Sequence, residues 1–224
     1  MYRQKPPLCV LLLAFFLAAA IPSSLMIAGP ASPFHNSDAH GQSANGATQY
    51  SLIFPQTVNG QLGDLKYQSN IFLLNNSAAT AHGTINLYRQ DGSPMTVSTN
   101  RGRGSNFEFM LAPGTAYRLE TDGLGAAVVG WIEVVTDIPL SGSGTFVVFD
   151  AQGNFQTEVG IGDSVRSRTP MIYVDNSLDK YTSYAVCNPS PTSTASLTFE
   201  LRRPDGGLVA SKSGITLGPR NQRA

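Results

Sequence analysis

Charge is what this 224-residue sequence has least of. Asp, Glu, Lys and Arg make up 13% of it, about half the share usual in soluble domains. Helices need such residues on their wet faces, so the shortage argues against a helical fold, and no run of helical period is long enough to compete with the strand pattern below. Charge of one sign is missing too: 15 basic residues face 15 acidic ones. Taking Arg3 and Lys5 from the 15 basic residues leaves 13 against 15, a net charge of −2. A near-neutral chain with no basic patch interleaved with aromatics is not expected to bind nucleic acid. Cysteine is scarce as well. Cys9 precedes an apolar run rather than following it, which is not the placement of a lipid-modified cysteine. Cys187 alone cannot close an internal disulfide. It ends the apolar run Tyr184-Ala185-Val186-Cys187, where a small buried hydrophobe is expected, and no histidine in the second half of the chain stands ready to activate it.

Glycine (22) and proline (14) are plentiful, and aromatics reach 9%. That mixture suits many short strands joined by tight turns. The N-terminus follows a different plan. Met1 to Pro7 carries two positive charges, Leu8 to Ile21 is apolar throughout, and small residues close the segment at Ala28-Gly29-Pro30-Ala31. Basic, apolar and small regions in that order predict a secretory signal peptide over residues 1–31, cleaved after Ala31 or alternatively after Ala20. The competing reading is an uncleaved membrane anchor, since Leu8 to Ala31 is long enough to span a bilayer. Residues 32–50 are small, polar and aperiodic, as expected of a flexible linker.

From Ser51 the pattern becomes that of strands. Ser51–Val58, Tyr67–Leu74, Gly83–Arg89, Met95–Thr99, Asn106–Leu111, Ala116–Thr121, Val128–Val135 and Gly144–Phe149 alternate or run apolar, separated by turn residues such as Asp91-Gly92 and Pro113-Gly114. The fold class expected is all-β, an antiparallel sandwich of roughly immunoglobulin size. The order of landmarks also repeats. Tyr67-Gln68-Ser69 leads through an apolar strand to Asn75, then to Leu87-Tyr88-Arg89 and Asp91-Gly92. Tyr181-Thr182-Ser183 leads in the same way to Asn188, Leu201-Arg202-Arg203 and Asp205-Gly206. Both Tyr-to-Asp distances are 24 residues. Leu111-Ala112-Pro113 answers Leu217-Gly218-Pro219. The expected division is therefore a complete repeat over 51–165 and an incomplete one over 166–224, which reads as truncated and would expose an apolar face and a free sheet edge. Residues 51 to about 150 are expected to fold alone, and residues 169–224 are not.

The segments Asn188-Pro189-Ser190, Ala195-Ser196-Leu197-Thr198, Leu201 to Gly206 and Leu217-Gly218-Pro219 resemble a tandem repeat family of exported bacterial proteins. The first copy is similar through Asp91-Gly92-Ser93-Pro94 and Pro139 to Gly144. The resemblance implies an immunoglobulin-like sandwich with no settled biochemical role.

Candidate chemistry is sparse. Gly162-Asp163-Ser164-Val165 resembles the nucleophile block of GDSL-type esterases, but no histidine follows His82 to serve as base, so an inter-repeat turn is expected. His35, Asp38 and His40 lie in the linker, where ordering the chain costs about 1–2 kcal/mol per residue, so no metal is expected there. His82 has no evident partner. Asp175, Asn176 and Asp179, with Asn59 and Asp64 in the corresponding first-copy loop, offer oxygen ligands for calcium, but turn formation alone accounts for them. Trp131 and Glu133 share one face of their strand and Ile132 and Val134 the other, which leaves open whether Trp131 faces core or solvent. Exposed beside Tyr88 and Tyr117, it would offer a stacking platform for sugars. Arg101 to Gly104 reads as a flexible turn, and Asn75-Asn76-Ser77 matches a glycosylation acceptor. No catalytic, metal or cofactor residue is assigned. The expectation is a secreted or cell-surface, non-catalytic structural or interaction module meeting an extracellular protein or polysaccharide. The alternative is a ligand-binding module, for carbohydrate above all, derived from a longer extracellular enzyme.

Overall fold

The computed structural model describes residues 40–44, 47–175 and 182–224, with side chains described from Gln49 onward. The expected signal segment, His35, Asp38, Asn176 and Asp179 lie outside the described residues, as does the side chain of His40. Among the described residues the protein is all-β, with no helix, and its strands pair antiparallel.

Eleven strands build the first unit: β1 (His40–Ala44), β2 (Ala47–Leu62), β3 (Leu65–Leu74), β4 (Ala81–Arg89), β5 (Val97–Thr99), β6 (Gly102–Gly104), β7 (Asn106–Leu111), β8 (Ala116–Glu120), β9 (Val128–Thr136), β10 (Ser141–Phe149) and β11 (Phe155–Gly162). Nine of them form one hydrogen-bonded path, β11-β10-β3-β2-β9-β4-β7, with β1 added to β2 and β8 to β3. The path folds over at β2, which pairs with β9 along most of its length and turns onto β3 only at Gly60–Leu62. A bulge between Phe54 and Thr57 bends β2. Pro55, which has no N–H to give the ladder, sits in it.

The two resulting layers enclose a core to which alternate residues contribute. Leu52 and Phe54 from β2, Ile71 and Leu73 from β3, Ile85 and Leu87 from β4, and Ile132 and Val134 from β9 are all buried in one cluster. Val58, Tyr67, Phe146 and Val148 form a second. This half-in, half-out alternation is the pattern that made the strands readable.

Three elements differ from the sequence expectation. Pairing begins at His40, inside the stretch read as linker, with Ala44 opposite Ala47. The dipeptide between them in sequence is Asn45-Gly46, a strong hairpin signal. β11 was not expected at all. The Arg101–Gly104 stretch is not a loose turn: β6 pairs with β5 through Val97↔Gly104 and Thr99↔Gly102.

The C-terminal unit holds β12 (Val186–Cys187), β13 (Ala195–Arg202), β14 (Leu208–Leu217) and β15 (Gln222–Arg223), in two pairs: β12 with β15 and β13 with β14. Their registers match those of the first unit over the following pairs, and from Phe199 onward β13 is displaced by one residue against β14 relative to the β4/β7 ladder. Leu74↔Ala116 and Leu73↔Tyr117 join β3 to β8; Cys187↔Gln222 and Val186↔Arg223 join β12 to β15. Ala81↔Leu111 and Gly83↔Phe109 join β4 to β7; Ala195↔Leu217 and Leu197↔Ile215 join β13 to β14.

The junctions match as well. Asn75 Nδ2 donates to the carbonyls of Ala79 and Leu111, both at 2.8 Å. Asn188 Nδ2 donates to Ser193 at 2.7 Å and Leu217 at 3.1 Å. Gly92 N–H donates to the Arg89 carbonyl at 3.0 Å, and Gly206 N–H to that of Arg203 at 2.9 Å. Both glycines have positive φ, +81° and +87°, a conformation that is costly for residues with a Cβ.

Candidate functional site

Among the described residues the candidate side chains do not converge on one centre. Asp163 and Ser164 continue the edge of β2. Ile53 N–H donates to Asp163 Oδ1 at 2.7 Å, and Ser164 N–H donates to the Ile53 carbonyl at 2.7 Å. The block thus satisfies backbone groups beside the bulge. His82, which sequence reading left without a partner, has one: its ring nitrogen lies 3.2 Å from Asp137 Oδ2, and its backbone N–H donates to Asp137 Oδ1 at 2.8 Å. Both side chains are at least half exposed, so the contact contributes little to stability.

The described members of the oxygen-rich loops serve turns and backbone groups. Asn59 is buried; its Oδ1 accepts from Gly123 N–H at 2.8 Å. Asp64 lies in the tight turn between β2 and β3. Asp175 N–H donates to Thr182 Oγ1 at 2.8 Å. Among the described residues no group of three or more His, Cys, Asp or Glu is placed to hold a metal ion. A shallow cleft of about 250 Å³ beside β5 and β6 is lined by Asn59, Ser98, Arg103 and Asp122 among others, smaller than most small-molecule sites. Asn75 has no exposed surface and spends its amide on the turn, so a glycan has no access to it.

Trp131 is where sequence and structure part most usefully. It points away from the sandwich core, on the outer face of β9, yet it is fully buried. The C-terminal unit covers it. Its indole Nε1–H donates to the Arg220 carbonyl at 2.7 Å. Tyr88, its cross-strand neighbour, stacks on it with ring centroids 4.8 Å apart, and the Arg220 guanidinium lies 5.0 Å from the Tyr88 ring centroid, a cation–π contact. Ile53 completes the cluster, and Cys187 packs against it from the C-terminal unit. Tyr117 is elsewhere: it packs on Phe109, at the edge of the main core, with Arg101 over its ring. The three rings therefore share no sugar-stacking face.

Polar contacts ring this cluster. Gln222 N–H donates to the Gln90 carbonyl at 2.9 Å. The Asn221 amide, oriented as its neighbours require, donates to the Asp91 carbonyl at 2.8 Å. Arg166 reaches Glu133 Oε1 at 3.1 Å. Burial raises the Glu133 pKa above the ordinary carboxylate value, while Arg166 and, less, Arg220 pull it down. Burial also pushes the Cys187 thiol up to about 12, with Glu133 adding to the shift. A thiol so placed is almost wholly protonated at neutral pH and is a poor nucleophile. The arrangement fastens two β units together.

Sequence reasoning missed this face because it weighed core against solvent and no third place. The signal was present. Leu52-Ile53-Phe54 and Gly130-Trp131-Ile132 do not alternate, and a strand apolar on both sides is a strand covered on both sides.

No family model matches the chain, and no curated protein matches it. Among solved structures, the crystal structure of Thermotoga maritima 1070 is similar to it at 20% sequence identity and a TM-score of 0.36, over 50% of this chain and 90% of that one.

Proposed function

We propose that this protein is an exported, non-catalytic structural or interaction module, in which a complete β-sandwich fixes and presents a second unit built on the same strand plan. On this reading residues 166–224 follow the strand plan of a second immunoglobulin-like repeat, as the resemblance to tandem repeats of exported bacterial proteins suggests. The matched registers of β3/β8 with β12/β15 and of β4/β7 with β13/β14 support it most directly, because independent hairpins have no reason to share a register set by side-chain pattern and turn chemistry. Export rests on the basic, apolar and small order of residues 1–31. The non-catalytic part rests on how the conspicuous residues are used: Asp163, Ser164, Asn188 and Trp131 all serve backbone pairing or packing.

The test is fractionation of a bacterial host expressing the full chain with a C-terminal tag, followed by N-terminal sequencing. The expected product lies outside the cytoplasmic membrane and begins at Ser32. An unprocessed chain in the cytosol would refute the reading.

A further inference from the structure

We infer that docking of the C-terminal unit on β9 is switched by the proton on Glu133, with Arg166 as the counter-charge that keeps the unit closed once that proton is gone. The switch needs only the contact between the two units, whatever the module meets outside the cell. Glu133 stands beside Trp131 on the outer face of β9, and its cross-strand neighbours are uncharged: Ile53 on β2 and Asn86 on β4. The ladder therefore supplies no cation. With the unit docked, the Glu133 side chain is 13% exposed, and a carboxylate so covered is costly unless it is paired or protonated. The partner comes from outside the sheet. Arg166 follows β11 in the segment leading to the C-terminal unit, and its Nη2 donates to Glu133 Oε1 at 3.1 Å and to Ser51 Oγ at 3.5 Å. That segment is fastened just upstream, where Ser164 N–H donates to the Ile53 carbonyl and Asp163 Oδ1 accepts from Ile53 N–H, both at 2.7 Å. Ile53 lies directly opposite Glu133, so the segment is anchored at the rung that carries the carboxylate.

Each element packed around Glu133 bears on its titration. From the connecting segment come Arg166, which attracts the charge, and Asp163, whose carboxylate is engaged on Ile53. From the C-terminal unit come Arg220, a weaker attraction, and Cys187, whose thiol is protonated. β4 contributes Tyr88, whose hydroxyl pKa is raised by burial and further by Glu133, against Arg220. Burial outweighs the two arginines, so docked Glu133 holds its proton more tightly than an ordinary carboxyl group. Opening the interface returns it to water and to the ordinary value. Closing therefore binds protons: the open fraction is least below the ordinary carboxylate range, grows as pH rises through the raised value and is constant above it. Without Arg166 the charged form would lie covered and uncompensated, and the same rise would be far steeper.

The experiment uses the full chain with Cys9→Ser and follows labelling of Cys187 by dithiodipyridine between about pH 4.5 and about pH 8. Each variant's rate is divided by the parent's at the same pH, which cancels the titration of the thiol itself. For Arg166→Gln the expected ratio is about tenfold at the upper pH, less than a fully enclosed pair would give because the Arg166 side chain is 31% exposed. It falls toward one at the lower pH. Arg166→Lys, which keeps the charge, should restore most of the parent rate. Glu133→Gln should label more slowly than the parent at the upper pH, and adding Arg166→Gln to it should change little. Three results would overturn the switch. One is an Arg166→Gln ratio that does not change with pH. Another is the same ratio in the Glu133→Gln background, which would leave Arg166 acting by packing alone. The third is no rescue by lysine.

Discussion

Trp131→Phe isolates the bond that fastens the C-terminal unit. The phenyl ring keeps a stacking partner for Tyr88 but loses the 2.7 Å donation to the Arg220 carbonyl. A buried carbonyl left without its donor costs about 1–3 kcal/mol. Taking about 2 kcal/mol and about 1.4 kcal/mol per tenfold, detachment of the unit becomes roughly 30-fold more populated. Cys187 reports that opening directly, because it is packed on the Trp131 cluster and its thiol is pushed up to about 12 while docked. In a chain with Cys9→Ser, Cys187 is the single thiol. Its reaction with a disulfide reagent, under conditions where closing outruns labelling, is expected to accelerate by about that 30-fold factor while global unfolding moves far less. Labelling at the parent rate would refute the claim that Trp131 holds the two units together. So would acceleration that tracks only global unfolding.

Further expectations concern the same interface and its matched turns. Gly92→Ala and Gly206→Ala each force a side chain into positive φ, costing about 1–2 kcal/mol. At Gly92 the new Cβ also meets the Pro219 carbonyl at 2.6 Å, whereas at Gly206 it meets open space, so only Gly92→Ala should speed Cys187 labelling. Asn75→Ala strands the buried Leu111 carbonyl in the first sandwich and should lower the global stability read from the denaturation midpoint by about 1–3 kcal/mol. Asn188→Ala should open the C-terminal unit with little change in that midpoint, as hydrogen exchange will report. Glu133 has a folded-state pKa raised by burial, so its contribution to stability is complete below the ordinary carboxylate range and is lost as pH rises through the raised value. Urea midpoints from about pH 4 to 7 should therefore fall for the parent relative to Glu133→Gln, and parallel curves would contradict the shift.

Strand positions in the first unit were legible wherever one face is wet. Asn106–Leu111 alternates in sequence up to the exposed Met110, and its burial alternates throughout. β11 was not, because glycines at 160 and 162 and the Gly162-Asp163 pair gave it the composition of a turn, while its alternation of Thr157, Val159 and Ile161 is only partly buried. β1 escaped because polar residues carry no period. The paired landmarks each have a backbone reason: Asn75 and Asn188 bridge carbonyls, and Gly92 and Gly206 take positive φ. What packs on the outer face of β9 was not readable. It depends on residues nearly ninety positions away, and no local pattern encodes which distant segment supplies the cover.

That distant cover explains how a two-layer unit and a set of bare hairpins coexist in one chain. Two-stranded hairpins are marginal in water by themselves, and β13 and β14 leave most of their side chains exposed. What holds the C-terminal unit is its other end. Leu217, Gln222 and Ala224 are buried, Asn188 bridges the turn to β14, and Arg220 takes positive φ, the single non-glycine among the described residues to do so. At the matching position the first unit has Gly114, where an added Cβ would meet open space. In the second unit the strained residue is the one whose carbonyl accepts from Trp131 and whose guanidinium covers Tyr88. An arginine tolerated where glycine is easier suggests that its side chain returns, in contact with the first sandwich, more than the backbone loses. Arg220→Gly then becomes a discriminating substitution: it relieves φ strain of about 1–2 kcal/mol but removes the cation–π contact, and faster Cys187 labelling in a chain with a relaxed turn would show that the contact outweighs the strain.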